Sequence, residues 1–471
     1  MKTIAYRARW SATAGLAVAA LIAGACNVKD TLLEPQNPGI IDETAVGSPS
    51  AALALKVGAM GRLKLLANCG GGECLWAESG HLADEFKNSD FQPTRQDVDQ
   101  RTMTTSNTTL SYNQVTTTRG YLRTAIDKMQ EFLPNNSADI AELYMALAFT
   151  EMSMAETYCN GIPLGKVVKG EVDYSDAAFK PLTTAEVYDV ALTHIDSALT
   201  VVGSGTDAAS TDVRRASLIV KARILVNKKQ FAAAAALVPV SAVPNGYQYI
   251  WATQASQNSD DNGIWQVNNS IARITVSDSF DIVNGQVNLI KNAIPFASAN
   301  DPRVPVLKGD QATPKVVAED AVTPLYIQRI FPNRDDPMPM VSAIDARLIE
   351  AEAKLNASDI PGMMAILNQL RADRPRIANF TPGAMSPLAT PATQDDAVSL
   401  FFREKAFWTF ARGQRLGDLR RLIRQYGRTQ DKVFPSGVYY KGGVYGSDVN
   451  FPVPDGEAVN PQFKGCIDRN A

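Results

Sequence analysis

Helical segments that come in pairs are the feature of this sequence that most limits its fold. Apolar and small residues recur at three- and four-residue spacing over about 107–132 and 137–157, and Pro134 lies between the two runs. A second pair covers about 183–203 and 211–226, and its first helix begins with the capping-box sequence TTAE at 183–186. Helices with Ala at close-approach positions bury their apolar faces by stacking on one another. The pattern therefore predicts a mainly α fold of tetratricopeptide-like helix pairs.

The same spacing predicts the remaining helices of this scaffold, which we place at about 50–242 and 341–426. The predicted segments are a first helix over 50–66, a short helix from Gln230, a pair over 343–356 and 361–371, and one long helix over about 395–425.

Two stretches interrupt the helical pattern. The segment 243–340 is rich in Gly, Asn, Asp, Ser and Pro, with scattered aromatics and short β-branched runs such as RITV at 273–276. We interpret it as a loop-rich insert with a few short strands, packed against the helices. A polar, Gly-rich stretch over 68–100 is predicted to be a loop region, and 427–471 an irregular C-terminal segment. Loops on a rigid scaffold are where ligand contacts concentrate.

The N-terminus has the layout of a secretory signal peptide. Three basic residues, at positions 2, 7 and 9, precede an apolar run over about 12–25 that is too short to span a bilayer. The sequence AGAC at 23–26 predicts cleavage after residue 25 and lipidation of Cys26, although Ala23 stands where a strict lipobox has Leu. The alternative is ordinary secretion with Cys26 as a free thiol. Residues 26–49 are rich in Pro, Asn and Gly, which predicts a tether to a single domain over 50–471.

The formal net charge is -3, and loss of residues 1–25 would remove three positive charges and no negative ones. Such mild acidity argues against nucleic acid as a partner.

Four cysteines follow Cys26, namely Cys69, Cys74, Cys159 and Cys466. Export to an oxidising compartment allows disulfides, and three connectivities are possible. The glycines between Cys69 and Cys74 make that pair the favoured one, with Cys159 and Cys466 as the remainder. Zinc is the weaker interpretation, because the chain has only two histidines. We predict no metal and no other cofactor.

Short motifs in order along nearly the whole chain resemble the SusD/RagB family. They are Cys26 with Asp30, Leu33 and Pro35; ETYCNGIPL at 156–164; ARLIEAEA at 346–353 followed by LNQLR at 367–371; REKAF at 403–407; RGQRLGDLRR at 412–421; and FPVP at 451–454 with Glu457, Asn460 and Pro461. The chain departs from the family in lacking its closing Pro-Gly-Tyr and in carrying the loop cysteines, which indicates a divergent branch.

The resemblance implies a helical, tetratricopeptide-like protein that is lipid-anchored in the outer membrane and faces the exterior. It implies a role without catalysis: binding glycans or other nutrients above a TonB-dependent, SusC-like transporter.

Aromatic and amide side chains are the candidate ligand residues, because sugar rings stack on aromatic planes and amides bind hydroxyls. They are Trp76, His81, Phe91, Tyr249, Trp251, Trp265 and Asn268. The alternative for each ring is a buried core position, and the contacting residues of the family vary with substrate.

Catalytic signatures are absent from the sequence, which has no G-x-S-x-G, H-E-x-x-H, P-loop or G-x-G-x-x-G motif. We therefore predict a binding protein with no catalytic residue. One alternative is a secreted α-helical glycoside hydrolase that uses the loop acids Asp84, Glu85, Asp335 and Asp336. Another is a tetratricopeptide-like adaptor that binds protein. For Arg415, Asp418 and Arg421 we predict ion pairs along one helix face rather than an anion site.

Overall fold

The structure, a computed structural model, describes residues 47–69, 73–107, 110–165, 167–168, 171–172, 179–255, 260–283 and 286–471. The predicted signal peptide, the lipidation site Cys26 and the tether up to residue 46 lie outside the described residues.

Helices dominate the described chain. They are α1 (Pro49–Leu63), α2 (Leu75–Leu82), α3 (Pro93–Gln100), α4 (Leu110–Phe132), α5 (Ser137–Thr157), α6 (Thr184–Val202), α7 (Ala208–Asn227), α8 (Phe231–Leu237), α9 (Ala343–Asn356), α10 (Ile360–Asp373), α11 (Gln394–Trp408) and α12 (Arg415–Arg424).

Side-chain caps explain why several of these helices begin where they do. At the start of α6, the Thr183 hydroxyl accepts a hydrogen bond from the Glu186 amide, and the Glu186 carboxylate accepts one from the Thr183 amide at 2.7 Å. This is the predicted capping box. Asp359 caps α10 in a similar way, by accepting a hydrogen bond from the Gly362 amide at 2.8 Å.

Successive helices pack against one another in pairs: α4 with α5, α5 with α6, α6 with α7, α7 with α8, and α9 with α10. Helix α5 lies between neighbours and is buried from Met145 to its end at Thr157. The prediction of a mainly α fold built from helix pairs is confirmed. Among the described residues, none of these helices combines the length and the apolar character needed to cross a bilayer.

The strands are short and pair antiparallel, two at a time, throughout the part of the chain that the structure describes. They are β1 (Phe86–Asn88), β2 (Ile162–Pro163), β3 (Val167–Val168), β4 (Glu171–Val172), β5 (Pro181–Leu182), β6 (Gln248–Trp251), β7 (Ile274–Val276), β8 (Phe280–Val283), β9 (Gln286–Leu289), β10 (Val306–Lys308), β11 (Tyr326–Gln328) and β12 (Met338–Ser342). The pairs are β1 with β7, β2 with β5, β3 with β4, β6 with β12, β8 with β9, and β10 with β11. Most lie in the predicted loop-rich insert, and β7 is the predicted β-branched run.

The prediction of one long helix over 395–425 is wrong, because the helix is interrupted between α11 and α12. Ala411 and Gly413 have positive φ angles of 61° and 64°. A Cβ on Gly413 would lie 2.4 Å from the Trp76 ring, so the break lets the backbone pack directly on that ring. The Ala411 amide also donates to the carboxylate of Glu85 at 3.0 Å. Tertiary contacts therefore override a continuous helical pattern.

The stretch 68–100, predicted to be a loop region, also contains two helices. Most of its polar side chains are buried and bonded within the protein, among them Asp84, Asp90 and Asp99. Its polarity therefore reflects internal hydrogen bonding rather than exposure to solvent.

Both predicted disulfides are present. Cys69 is bonded to Cys74, and Cys159 is bonded to Cys466 across 307 positions of sequence. The second bridge joins the end of α5 to the C-terminal segment.

Candidate functional site

Two of the predicted ligand aromatics, Trp76 and Trp251, face each other in the core. Their ring centroids lie 5.3 Å apart, and Phe149 forms a T-shaped pair with Trp251, with ring centroids 6.1 Å apart. Trp76 is 2% exposed and Trp251 is 3% exposed. Neither ring offers a free face for a sugar, so their burial argues against the prediction that they bind ligand.

Internal hydrogen bonds hold the side chains of Tyr249 and Asn268. The Tyr249 hydroxyl donates to Glu142. The Asn268 amide donates to the Ile274 carbonyl at 2.8 Å, and its oxygen accepts from the Gln328 amide at 2.8 Å. Asn268 is therefore buried, and its hydrogen bonds link separate parts of the insert. Trp265 is partly buried at the start of a π-helical turn, Trp265–Ser270.

His81 lies inside the protein near the end of α2. Burial, together with the nearby Arg95, lowers the pKa of His81 to about 3. The imidazole is neutral at ordinary pH and is hidden from solvent, so it is placed as a core residue.

Phe91 differs from the other predicted ligand residues, because 72% of it is exposed. It lies on a surface formed by residues 86–91, by the β8–β9 hairpin with the residues that follow it (280–283 and 286–291), and by residues 320–322 and 436–445. We call this surface the loop face.

Polar contacts hold the four segments of the loop face together. Lys441 donates to the Asp90 carbonyl at 2.7 Å and pairs with Asp320 at 2.8 Å. The Lys87 ammonium pairs with Asp281. The backbones of residues 291 and 436 exchange two hydrogen bonds of 3.1 and 3.2 Å. The loop face is thus a fixed surface assembled from segments far apart in sequence.

Each of the four segments of the loop face carries at least one exposed apolar side chain. In the β8–β9 hairpin, Ile282 lies opposite Val287 and Phe280 lies opposite Leu289, so all four share one side of the pair. Val287 and Leu289 are 63% and 74% exposed. The other exposed apolar residues of the loop face are Phe91, Ile282, Val322, Val438 and Val444. Clustered exposed apolar side chains mark binding surfaces in folded proteins.

Three tyrosines within the 436–445 segment of the loop face pack on one another. Tyr440 packs on Tyr439 with ring centroids 4.8 Å apart, and Tyr445 packs edge-on at 5.2 Å. The Tyr439 hydroxyl donates to Asp99 at 2.9 Å, and burial raises the pKa of Asp99 to about 7. The hydrogen bond to Asp99 ties this segment to α3.

Three of the four acids considered for a hydrolase are buried and hydrogen-bonded within the protein. Asp84 receives two hydrogen bonds from Arg415, at 2.6 and 2.9 Å. Burial raises the pKa of Glu85 to about 8, and its carboxyl group accepts from the Ala411 amide. Both are almost fully buried. Asp336 accepts from the Asn333 amide at 2.6 Å, whereas Asp335 is exposed. Asp84 and Glu85 therefore have no access to a substrate from solvent.

The basic motif at 412–421 forms ion pairs, as predicted, though not all with the expected partners. Arg421 pairs with Asp418 three positions earlier at 2.8 Å. Arg415 instead pairs with Asp84 from another part of the chain. Within the described ranges, no group of three or more His, Cys, Asp or Glu side chains is arranged to hold a metal ion.

Comparison with solved structures finds the same fold in SusD-like proteins. A laminarin-binding SusD-like protein is 13% identical with a TM-score of 0.62, and the match covers 89% of this chain and 99% of that one. A SusD/RagB family protein from Bacteroides thetaiotaomicron is 15% identical with a TM-score of 0.56, covering 87% and 94%. A SusD-like carbohydrate-binding protein from Bacteroides vulgatus is 13% identical with a TM-score of 0.54, covering 79% and 83%.

These similarities show that the chain has the SusD fold, which confirms at the level of fold the resemblance seen in the sequence. Two of these three proteins are described as binding proteins for carbohydrate. No model of a protein family matches the sequence, and no curated protein matches it.

Proposed function

We propose that this protein is a non-catalytic glycan-binding protein that captures its ligand on the loop face. The observation that carries the proposal is the combination of the SusD fold with a surface whose four segments are held together by polar contacts and each expose apolar side chains, Phe91 among them. Apolar C–H faces of sugar rings pack on such side chains, while neighbouring carbonyls and charged groups bind hydroxyls. The similarity to a laminarin-binding protein and to a carbohydrate-binding protein supports glycans as the ligand class.

We further propose that the protein is a lipoprotein of the outer membrane that faces the exterior and delivers its ligand to a SusC-like, TonB-dependent transporter. The support is the sequence AGAC at 23–26, the basic and apolar segment before it, and the motifs that resemble the SusD/RagB family. An acylated cysteine would anchor the domain, because each buried CH2 group of a lipid chain contributes ~0.8 kcal/mol.

Metabolic labelling with an alkyne fatty acid, followed by membrane fractionation, tests the anchor. The wild-type protein is expected to carry label in the outer-membrane fraction, and Cys26→Ser is expected to lose it. Wild-type protein that is unlabelled and free in the cytosol would refute the anchor.

Affinity purification of the native protein from membranes tests the transporter partner. A large β-barrel protein is expected to co-purify. Recovery of the protein alone after cross-linking would contradict the proposed partnership, and recovery with soluble proteins only would favour the adaptor alternative.

A further inference from the structure

A cavity of about 370 Å³ opens between α9 and α10 and shares no residue with the loop face. Helix α9 lines it with Ala343, Ile344, Arg347 and Glu350, whose spacing places them on one side of the helix. The volume falls within the roughly 300–1,000 Å³ of small-molecule sites.

The body of this cavity is aliphatic. Ile344 from α9 and Ile366 and Leu370 from α10 line it, together with Ala343 and Ala365. The two alanines leave the space that longer side chains would fill. An apolar group of a ligand would therefore be removed from water here, which favours binding in proportion to the area buried.

The charged groups of the cavity favour a cation over an anion. Arg347 is 7% exposed, and its guanidinium group is directed at the protein: it donates to the Val238 carbonyl and to Asn245, and its Nε lies 2.7 Å from a Glu350 oxygen. These contacts within the protein already occupy the guanidinium group, so Arg347 is poorly placed to bind an anion. Two carboxylates, Glu350 and Asp373, also line the cavity, so acidic groups outnumber basic ones among its lining residues.

Glu350 is the carboxylate best placed to bind a cation. Its side chain is 24% exposed, and burial raises its pKa even though Arg347 lies against one of its oxygens, so the charge of Arg347 does not fully replace the solvation that the carboxylate has in water. A positively charged donor in the cavity would supply that missing stabilisation.

We propose that this cavity binds a small organic ammonium ion, with its aliphatic or aromatic body against Ile344, Ile366 and Leu370 and its ammonium group donating to Glu350. Asp373 adds negative charge at the same cavity, and the site is separate from the one proposed for glycans.

Three probes of equal chain length test the chemistry: n-hexylammonium, hexan-1-ol and hexanoate, titrated into the full folded protein by calorimetry. Saturable binding of n-hexylammonium is expected, with weaker binding of the alcohol and weakest binding of hexanoate. Hexanoate binding as tightly as n-hexylammonium would overturn the proposal, as would no binding of n-hexylammonium.

Two variants locate the site. Glu350→Gln is expected to weaken n-hexylammonium binding about fivefold, because one charge-assisted contact is lost. The difference in affinity between n-hexylammonium and hexanoate is expected to become smaller. Ala365→Phe is expected to abolish binding of all three probes by filling the cavity, and since Ala365 is exposed the fold does not depend on it. Glu131→Gln, an exposed residue of α4, is the matched control. Binding that survives Ala365→Phe in a folded protein would overturn the assignment.

Discussion

Arg421 on α12 donates two parallel hydrogen bonds, of 2.6 and 3.0 Å, from its two terminal nitrogens to the two carboxylate oxygens of Glu352 on α9. Arg421 also donates to Asp418 at 2.8 Å, and the Tyr426 hydroxyl donates to Glu352 at 2.8 Å. Arg421 and Glu352 are each no more than 2% exposed. The pair joins helices from two separate motifs of the sequence, so it links the last helix to the helix-pair scaffold.

Removal of one partner of this pair is expected to destabilise the fold strongly. Glu352→Gln would leave the Arg421 charge buried with only part of its compensation, at a cost of about 3–5 kcal/mol in the free energy of unfolding. Urea denaturation measures the change. The exposed pair of Lys128 and Glu131 provides the control, because Glu131→Gln is expected to cost no more than about 1 kcal/mol. Equal effects of the two substitutions would contradict the account.

The carboxyl group of Glu85 is expected to make stability depend on pH. Its folded pKa of about 8 lies above its ordinary value of 4.5, so the folded protein keeps a proton that the unfolded chain releases. The stability that this proton contributes is fully present below about pH 4.5 and is lost as the pH rises to about 8.

Glu85→Gln mimics the protonated side chain, so it tests this pH dependence directly. The variant is expected to be about as stable as the wild type at pH 4.5 and more stable than it at pH 9, measured by urea denaturation at both pH values. A difference between the two proteins that does not change with pH would show that Glu85 titrates normally in the fold.

At Gly413, the lack of space for a side chain is expected to affect stability more than the positive φ angle does. Gly413 and Gly427 have similar φ angles, 64° and 67°, but only Gly413 has neighbours, with the Trp76 ring 2.4 Å from a Cβ placed there. Gly427→Ala therefore measures the backbone cost, about 1 kcal/mol.

Gly413→Ala is expected to cost at least about 2 kcal/mol more, because the Trp76 ring or the backbone must shift within a packed core. Thermal or urea unfolding of the two variants measures the loss of stability at each position. Similar losses at the two positions would mean that contact with Trp76 does not constrain the break between α11 and α12.

The two disulfides are expected to differ in their contribution to stability because they close loops of very different length. In the chain-entropy description, the bridge between Cys159 and Cys466 contributes about 6 kcal/mol and the bridge between Cys69 and Cys74 about 2 kcal/mol. Replacement of each pair by alanine, followed by denaturant unfolding, tests this order. A larger loss from the short loop would contradict it.

Local signals explain which parts of the fold could be predicted from the sequence. Periodicity and caps located α5, α6 and α9 because those signals lie within each helix. The break after Trp408 could not be predicted in this way, since it depends on Gly413 meeting Trp76, more than 300 positions away in the chain.

The candidate site was harder to predict, because a sequence does not state which aromatics are exposed. Trp76 and Trp251 have the composition of a sugar platform yet pack on each other in the core. Phe91 is one of the predicted ligand residues, and it is exposed. The hairpin residues were missed, although Phe280 and Ile282 alternate with Asp281, a period-two signal for a strand with one apolar side. Such alternation does not reveal that the apolar side faces solvent.

The central claim is that the loop face binds glycan, and affinity of loop-face variants for a glycan panel that includes laminarin oligosaccharides tests it most directly. The wild type is expected to bind at least one member saturably, and the double variant Phe91→Ala with Val444→Ser to bind it about tenfold more weakly, because apolar contact area is lost. Val57→Ala, an exposed apolar position on α1, is expected to bind like the wild type. Unchanged affinity in the double variant, or no binding to any glycan of the panel by the wild type, would contradict the claim.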